Sequence, residues 1–296
     1  MKKIPLLTAG PIAAAGILEI PFYLLPGFPV MRQKLRANGP VRMASVLAVS
    51  SLLPWLAYSL PTGLFEWQAF GMLLLLTTAV SFWYVVVPKG PWRDIIFVAG
   101  LAAVVAGKLF DGVYLTPLPK VPLSVLGHAM LIRTAALSIL ELRGEARAEY
   151  RFWPNRSEWL TGLRYFLLLL PVTGAVYWGL GLVELREHPL NLLQAAGTFF
   201  GILWFTALSE EFFFRGLLLQ WFEQWTSSAI FAMVLTAVLF GAVHLGMHHQ
   251  FPNWRFAIVA AVAGVFYALA FRRNRSVQAG MVAHALTVTV WKTFLR

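Results

Sequence analysis

Two glutamates stand side by side in the run LSEEFFFRGLL, Glu210 and Glu211, and Arg215 follows Glu211 by four residues. On a helix a four-residue step brings two side chains onto one face, so Arg215 can neutralise Glu211 as an ion pair. Adjacent residues diverge by about 100° around a helix, which leaves Glu210 pointing elsewhere without a sequence-local cation. Paired glutamates can also cap or solvate a helix end. Here Trp204, Phe205, Phe212, Phe213, Phe214 and the leucines 217–219 surround them and argue for depth in an apolar setting. Two histidines lie further on in apolar stretches: His244, four residues after Phe240 in FGAVHLGMHH, and His284 in SVQAGMVAHALTVTV. A buried imidazole needs a polar partner, and the cheapest partners for these are one another and the carboxylates. Peptide hydrolysis requires a base for water, a proton donor for the leaving amine and hydrogen-bond donors for the oxyanion. One carboxylate and two imidazoles can supply all three. The chain has no Cys, which excludes a thiol nucleophile, disulfides and iron–sulfur ligation.

The elements that must carry these residues are membrane helices. Of 296 residues, 59% are hydrophobic and 12% charged, against about a quarter charged in soluble domains. So much apolar surface needs lipid as its solvent. The expected fold is therefore all-α, a polytopic transmembrane bundle. Runs of about twenty apolar residues give ten candidate spans: 6–30, 43–60, 70–87, 95–113, 122–140, 160–182, 190–208, 230–246, 256–271 and 277–294. The start, Met1-Lys2-Lys3 before an apolar run to Val30, has no small-x-small cleavage site and reads as a retained span. The net charge of +11 is scattered in short clusters between spans. That distribution lacks the coherent footprint of a nucleic-acid binder. Alternate loops hold fourteen and seven basic residues, which favours both termini outside and the richer loops in the cytoplasm. The polar stretch 141–159 divides the chain into an N-terminal bundle, 1–150, of no assigned role and a C-terminal bundle, 151–296, that bears the candidate site. In the first half Glu19, Lys108, Asp111, His128 and Arg133 also lie near apolar stretches, in no pattern with an evident chemistry. Lys108 and Asp111 are three apart and so could pair on one helix face.

The ordered set E-E-x-x-x-R (Glu210, Glu211, Arg215), F-x-x-x-H (Phe240, His244) and a final His284 resembles the CPBP family of CAAX proteases and bacteriocin-processing proteins, also called Abi. The resemblance covers about residues 160–296, including the stretch from Gly264 through Ser276 to His284. It implies a glutamate-dependent intramembrane endopeptidase in which Glu210 activates a water with help from His244. Glu211 and Arg215 would hold the helix, and His284 would complete the polar site. The family commonly carries Asn or Asp four residues after the last His, where this chain has Val288. Thr287, three residues after His284, could supply a substitute hydroxyl as oxyanion donor, and His284 itself or another donor could serve instead. His244 with His248 and His249 has an H-x-x-x-H-H spacing that zinc could use. The resemblance favours a metal-free mechanism, and no metal or cofactor is expected. The expected partners are the bilayer and a membrane or lipid-anchored protein substrate, in the inner (cell) membrane of a bacterium. Val288 also suits an alternative reading, a non-catalytic scaffold or immunity-type binding protein of the same fold. A transporter using Glu210 as a proton relay would show paired halves with matching broken helices, and the sequence shows none.

Overall fold

The computed structural model describes residues 6–118, 121–145, 149–246 and 251–295. Among them the regular structure is helical, apart from one isolated antiparallel bridge between Leu185 and Leu295. Contacts group the chain into two compact units, Met1–Ala146 and Arg147–Arg296.

The N-terminal unit runs α1 (Leu6–Leu24), α2 (Pro29–Ala37), α3 (Pro40–Thr62), α4 (Trp67–Val86), α5 (Pro91–Ala106), α6 (Leu109–Val113) and α7 (Ser124–Leu142). Prolines open α2, α3 and α5, where the missing N–H would have had no helical partner anyway. Helix α3 stops at Gly63, whose φ of 71° is cheap only for glycine. Candidate span 95–113 is broken. Lys108 adopts a left-handed φ of 52° and separates α5 from α6, so Lys108 and Asp111 do not share a helix face. The core is built on Trp55, Tyr58, Leu73 and Phe110. Two residues without a role in the sequence pair within it. Arg133 Nε donates to Glu19 Oε1 at 2.7 Å, while its other nitrogens reach Ser50 Oγ at 3.2 Å and Ser50 O at 3.0 Å. The Phe22 ring lies 4.8 Å from the guanidinium carbon. An ion pair this buried survives in an apolar core only with its remaining hydrogen bonds met.

The C-terminal unit comprises α8 (Arg156–Gly179), α9 (Leu192–Thr226), α10 (Ala229–Ala242), α11 (Trp254–Asn274) and α12 (Val277–Phe294). Each start is capped by a side chain. Asn155 with Glu158 and Asn191 with Gln194 form reciprocal capping boxes, and Ser228, Asn253 and Ser276 accept single N–H bonds. Span 190–208 does not end where its apolar pattern first breaks. It continues through the glutamate motif as one helix of 35 residues. Within it the α-helical turn Leu208–Glu211 is flanked by π-helical segments, Ile202–Ala207 and Phe212–Leu219. Such widened turns change which side chains share a face and frequently mark functional sites. Helix α10 stops at Ala242, short of the 230–246 expected, with 14 residues. Its Ile230, Val234 and Val238 are exposed in a single stripe while Thr236 and Phe240 on the opposite side are buried. That is the pattern of a helix with one face to lipid and one to protein.

Helices lie within all ten candidate spans, but 95–113, 230–246 and 277–294 give none long and apolar enough to cross a bilayer; the fold is an all-α membrane bundle. Seven helices among the described residues are long and apolar enough to cross a bilayer: α1 with its 3₁₀ extension, α3, α4, α7, α8, α9 and α11.

Candidate active site

Helix α9 supplies Glu210, Glu211 and Arg215, α10 and the turn after it supply Phe240 and His244, and α12 supplies His284. Arg215 has no solvent exposure, and its Nη1 lies 2.9 Å from Glu211 Oε1. Its Nη2 donates to the Gly264 carbonyl at 2.8 Å. The guanidinium carbon stands 4.6 Å from the Phe240 ring centre and 5.4 Å from that of Tyr267. The predicted ion pair is present, the Phe214 ring lies over the guanidinium as well at 5.8 Å, and Nε is buried without a hydrogen-bond partner.

Glu211 does more than neutralise Arg215. The same Oε1 lies 2.9 Å from His284 Nδ1. A carboxylate beside a guanidinium can only accept, so Nδ1 carries the hydrogen. The ring is therefore oriented with Nε2 toward Glu210, whose Oε2 is 3.9 Å away, beyond hydrogen-bond range. The Glu210 side chain keeps 31% of its exposure, while its Oε2 is buried without a hydrogen-bond partner. Tyr267 stacks on His284 with centroids 4.8 Å apart and 9° between planes, and Phe240 meets the ring edge-on at 5.7 Å.

His244 packs against the same Phe240 ring. Its Nδ1 donates to the Phe240 carbonyl at 2.7 Å, and the two rings lie 4.8 Å apart. A carbonyl cannot donate, so here too Nδ1 is protonated and Nε2 is the free ring atom. The Phe240 ring thus contacts both imidazoles. His244 makes its hydrogen bond to that backbone rather than to Glu210 or His284. Thr287 donates its hydroxyl proton to Ala283 O at 2.8 Å on its own helix, so acting as an oxyanion donor would require it to break that bond. Thr287→Val is accordingly expected to slow turnover far less than the about hundred- to thousandfold typical of a lost oxyanion donor, measured as kcat on a cleaved substrate. His248 and His249 lie outside the described residues.

Sequence reasoning missed three contributors. Tyr267 stacks on the imidazole, the Gly264 carbonyl receives Arg215, and Gly280 makes room for Glu211. A Cβ on Gly280 would come within 2.8 Å of Glu211 Oε2 and 3.3 Å of the Tyr267 carbonyl. The stretch from Gly264 to His284 belongs to the family resemblance, but the spacings Gly264–Tyr267 and Gly280–His284 are also those of ordinary helix packing. Gly280→Ala is expected to destabilise by about 1–3 kcal/mol through overpacking and to displace Glu211 from His284. A lowered Tm in thermal unfolding together with reduced activity would show it.

No match is found among curated proteins or among solved structures. Residues 192–290, which span every member of this cluster, match the family model described as type II CAAX prenyl endopeptidase Rce1-like. That model describes a protease family, and it is the family that the E-E-x-x-x-R, F-x-x-x-H and final His motifs resemble.

Proposed function

We propose that the chain is an intramembrane endopeptidase that hydrolyses a peptide bond in a membrane-associated protein, with Glu210 as the base that activates water. The observation that carries this reading is the unpartnered, buried Glu210 Oε2 beside a histidine whose other nitrogen is already committed to a carboxylate. A free carboxylate beside an imidazole that is itself oriented by a second, cation-anchored acid is an arrangement suited to proton transfer. The Rce1-like match supports proteolysis but not the catalytic type.

The proton count closes with these groups. The attacking water gives one proton to Glu210 as its oxygen bonds to the carbonyl carbon. Glu210 returns that proton to the amine nitrogen as the carbon–nitrogen bond breaks. The oxygen of the tetrahedral intermediate takes its hydrogen bond from an Nε2–H of His244 or His284 in the imidazolium form, the only form in which these rings can donate from Nε2 while keeping their Nδ1 bonds. Glu211 and Arg215 act through His284 and are positioning residues.

The test is mass spectrometry of membrane-protein termini from membranes carrying the wild-type chain or Glu210→Gln. New C-termini that depend on Glu210 are expected. Identical termini in both membranes would favour the binding-protein reading that Val288 allows.

A further inference from the structure

The arginines at one end of the C-terminal unit sort into two groups. Arg151 is held by Glu149 and Glu158 at 3.0 and 2.6 Å. Arg272 and Arg275 are held by Glu223 at 3.3 and 3.7 Å. The remaining three, Arg156, Arg164 and Arg273, line one open cavity of about 680 Å³ that has no carboxylate in its wall. None of the three makes an ion pair with any described residue. Arg156, Leu160 and Arg164 recur every fourth residue on α8 and so share a face, while Arg273 comes from the last turn of α11. The floor between them is fixed: Thr161 Oγ1 donates to Asn274 Oδ1 at 2.9 Å, and Asn274 Nδ2 donates to Ser157 Oγ at 3.2 Å.

Three guanidiniums gathered without an acid repel one another unless an anion joins them. Guanidinium forks match phosphate oxygens in pairs. Leu160 in the cavity wall and Leu163 and Leu167 further along α8 are exposed, on a helix apolar enough to span the membrane. A single molecule that satisfies both parts has a phosphate head and acyl chains. We propose that this cavity binds the headgroup of an anionic phospholipid, with its acyl chains along the leucines of α8. The site is independent of the proteolytic reading, since it shares no residue with the Glu210 cluster.

The probe is the purified full chain in detergent, titrated with phosphatidylglycerol or with phosphatidylcholine of identical acyl chains, bound lipid being counted by native mass spectrometry. Preference for phosphatidylglycerol on the order of a hundredfold is expected from three basic side chains, and the triple variant Arg156→Gln, Arg164→Gln, Arg273→Gln should lose it. Arg255→Gln, at the opposite end of α11, should keep it. If the triple variant fails to fold, each single variant is expected to lose roughly fivefold. Equal binding of both lipids by the wild type, a preference that outlives the substitutions, or displacement of phosphatidylglycerol by millimolar inorganic phosphate would overturn the proposal.

Discussion

Replacing Glu210 with Gln is expected to lower the cleavage rate by about a hundred- to ten-thousandfold, the range that a positioned general base contributes, while leaving thermal unfolding almost unchanged. The carboxamide has the size of the carboxylate, so packing is preserved. Glu210 holds no hydrogen bond or short ion pair whose loss would loosen the fold: its Oε2 has no hydrogen-bond partner, and the nearest charged group, His284 Nε2, is 3.9 Å away. Rate and Tm should therefore separate at this position. Single-turnover kinetics on a reconstituted substrate, with Tm measured on the same preparation, would check it. A rate within tenfold of wild type would remove Glu210 from the chemistry.

At Glu211 and Arg215 the opposite behaviour is expected, with stability and activity lost together. Both side chains are fully buried and bonded at 2.9 Å, so removing one leaves the other as an uncompensated charge in a protein core. Breaking such a pair costs about 3–5 kcal/mol. Arg215→Met or Glu211→Leu alone should lower the Tm markedly and take His284 out of register, because Glu211 Oε1 is the acceptor for its Nδ1. The double variant makes the sharper test. Exchanging both charges for apolar groups of similar volume removes the unpaired charge, and such exchanges are often neutral or stabilising. Glu211→Leu/Arg215→Met should thus regain most of the Tm while staying inactive. Recovery of activity along with stability would mean that His284 needs no orienting carboxylate.

Much of this site was legible because helical periodicity is a local rule. The i,i+4 steps from Glu211 to Arg215 and from Phe240 to His244 appear as contacts. What the sequence did not disclose is which carboxylate meets which imidazole. Glu211, assigned to Arg215 alone, also holds His284, because the cluster is closed by a helix 73 residues further along the chain. The π-helical segments were equally invisible, since a widened turn changes the face a side chain occupies without changing the apolar composition. In the first half the failure was one of range. Glu19 and Arg133 lie 114 residues apart, and no local spacing could have joined them. Lys108 illustrates the converse, a local rule overridden: its three-residue offset from Asp111 lost meaning once the backbone turned left-handed there.

The unbroken run from Leu192 to Thr226 also sets a reach. At about 1.5 Å of rise per residue the acidic turn stands roughly 25 Å from either tip of that rod. Under the proposed function, a substrate lying extended along that rod, at about 3.3 Å per residue, would span roughly seven or eight residues between the scissile bond and the tip. On that reading, the length of unfolded chain next to the cleaved bond, and not its sequence alone, would decide which proteins are cut.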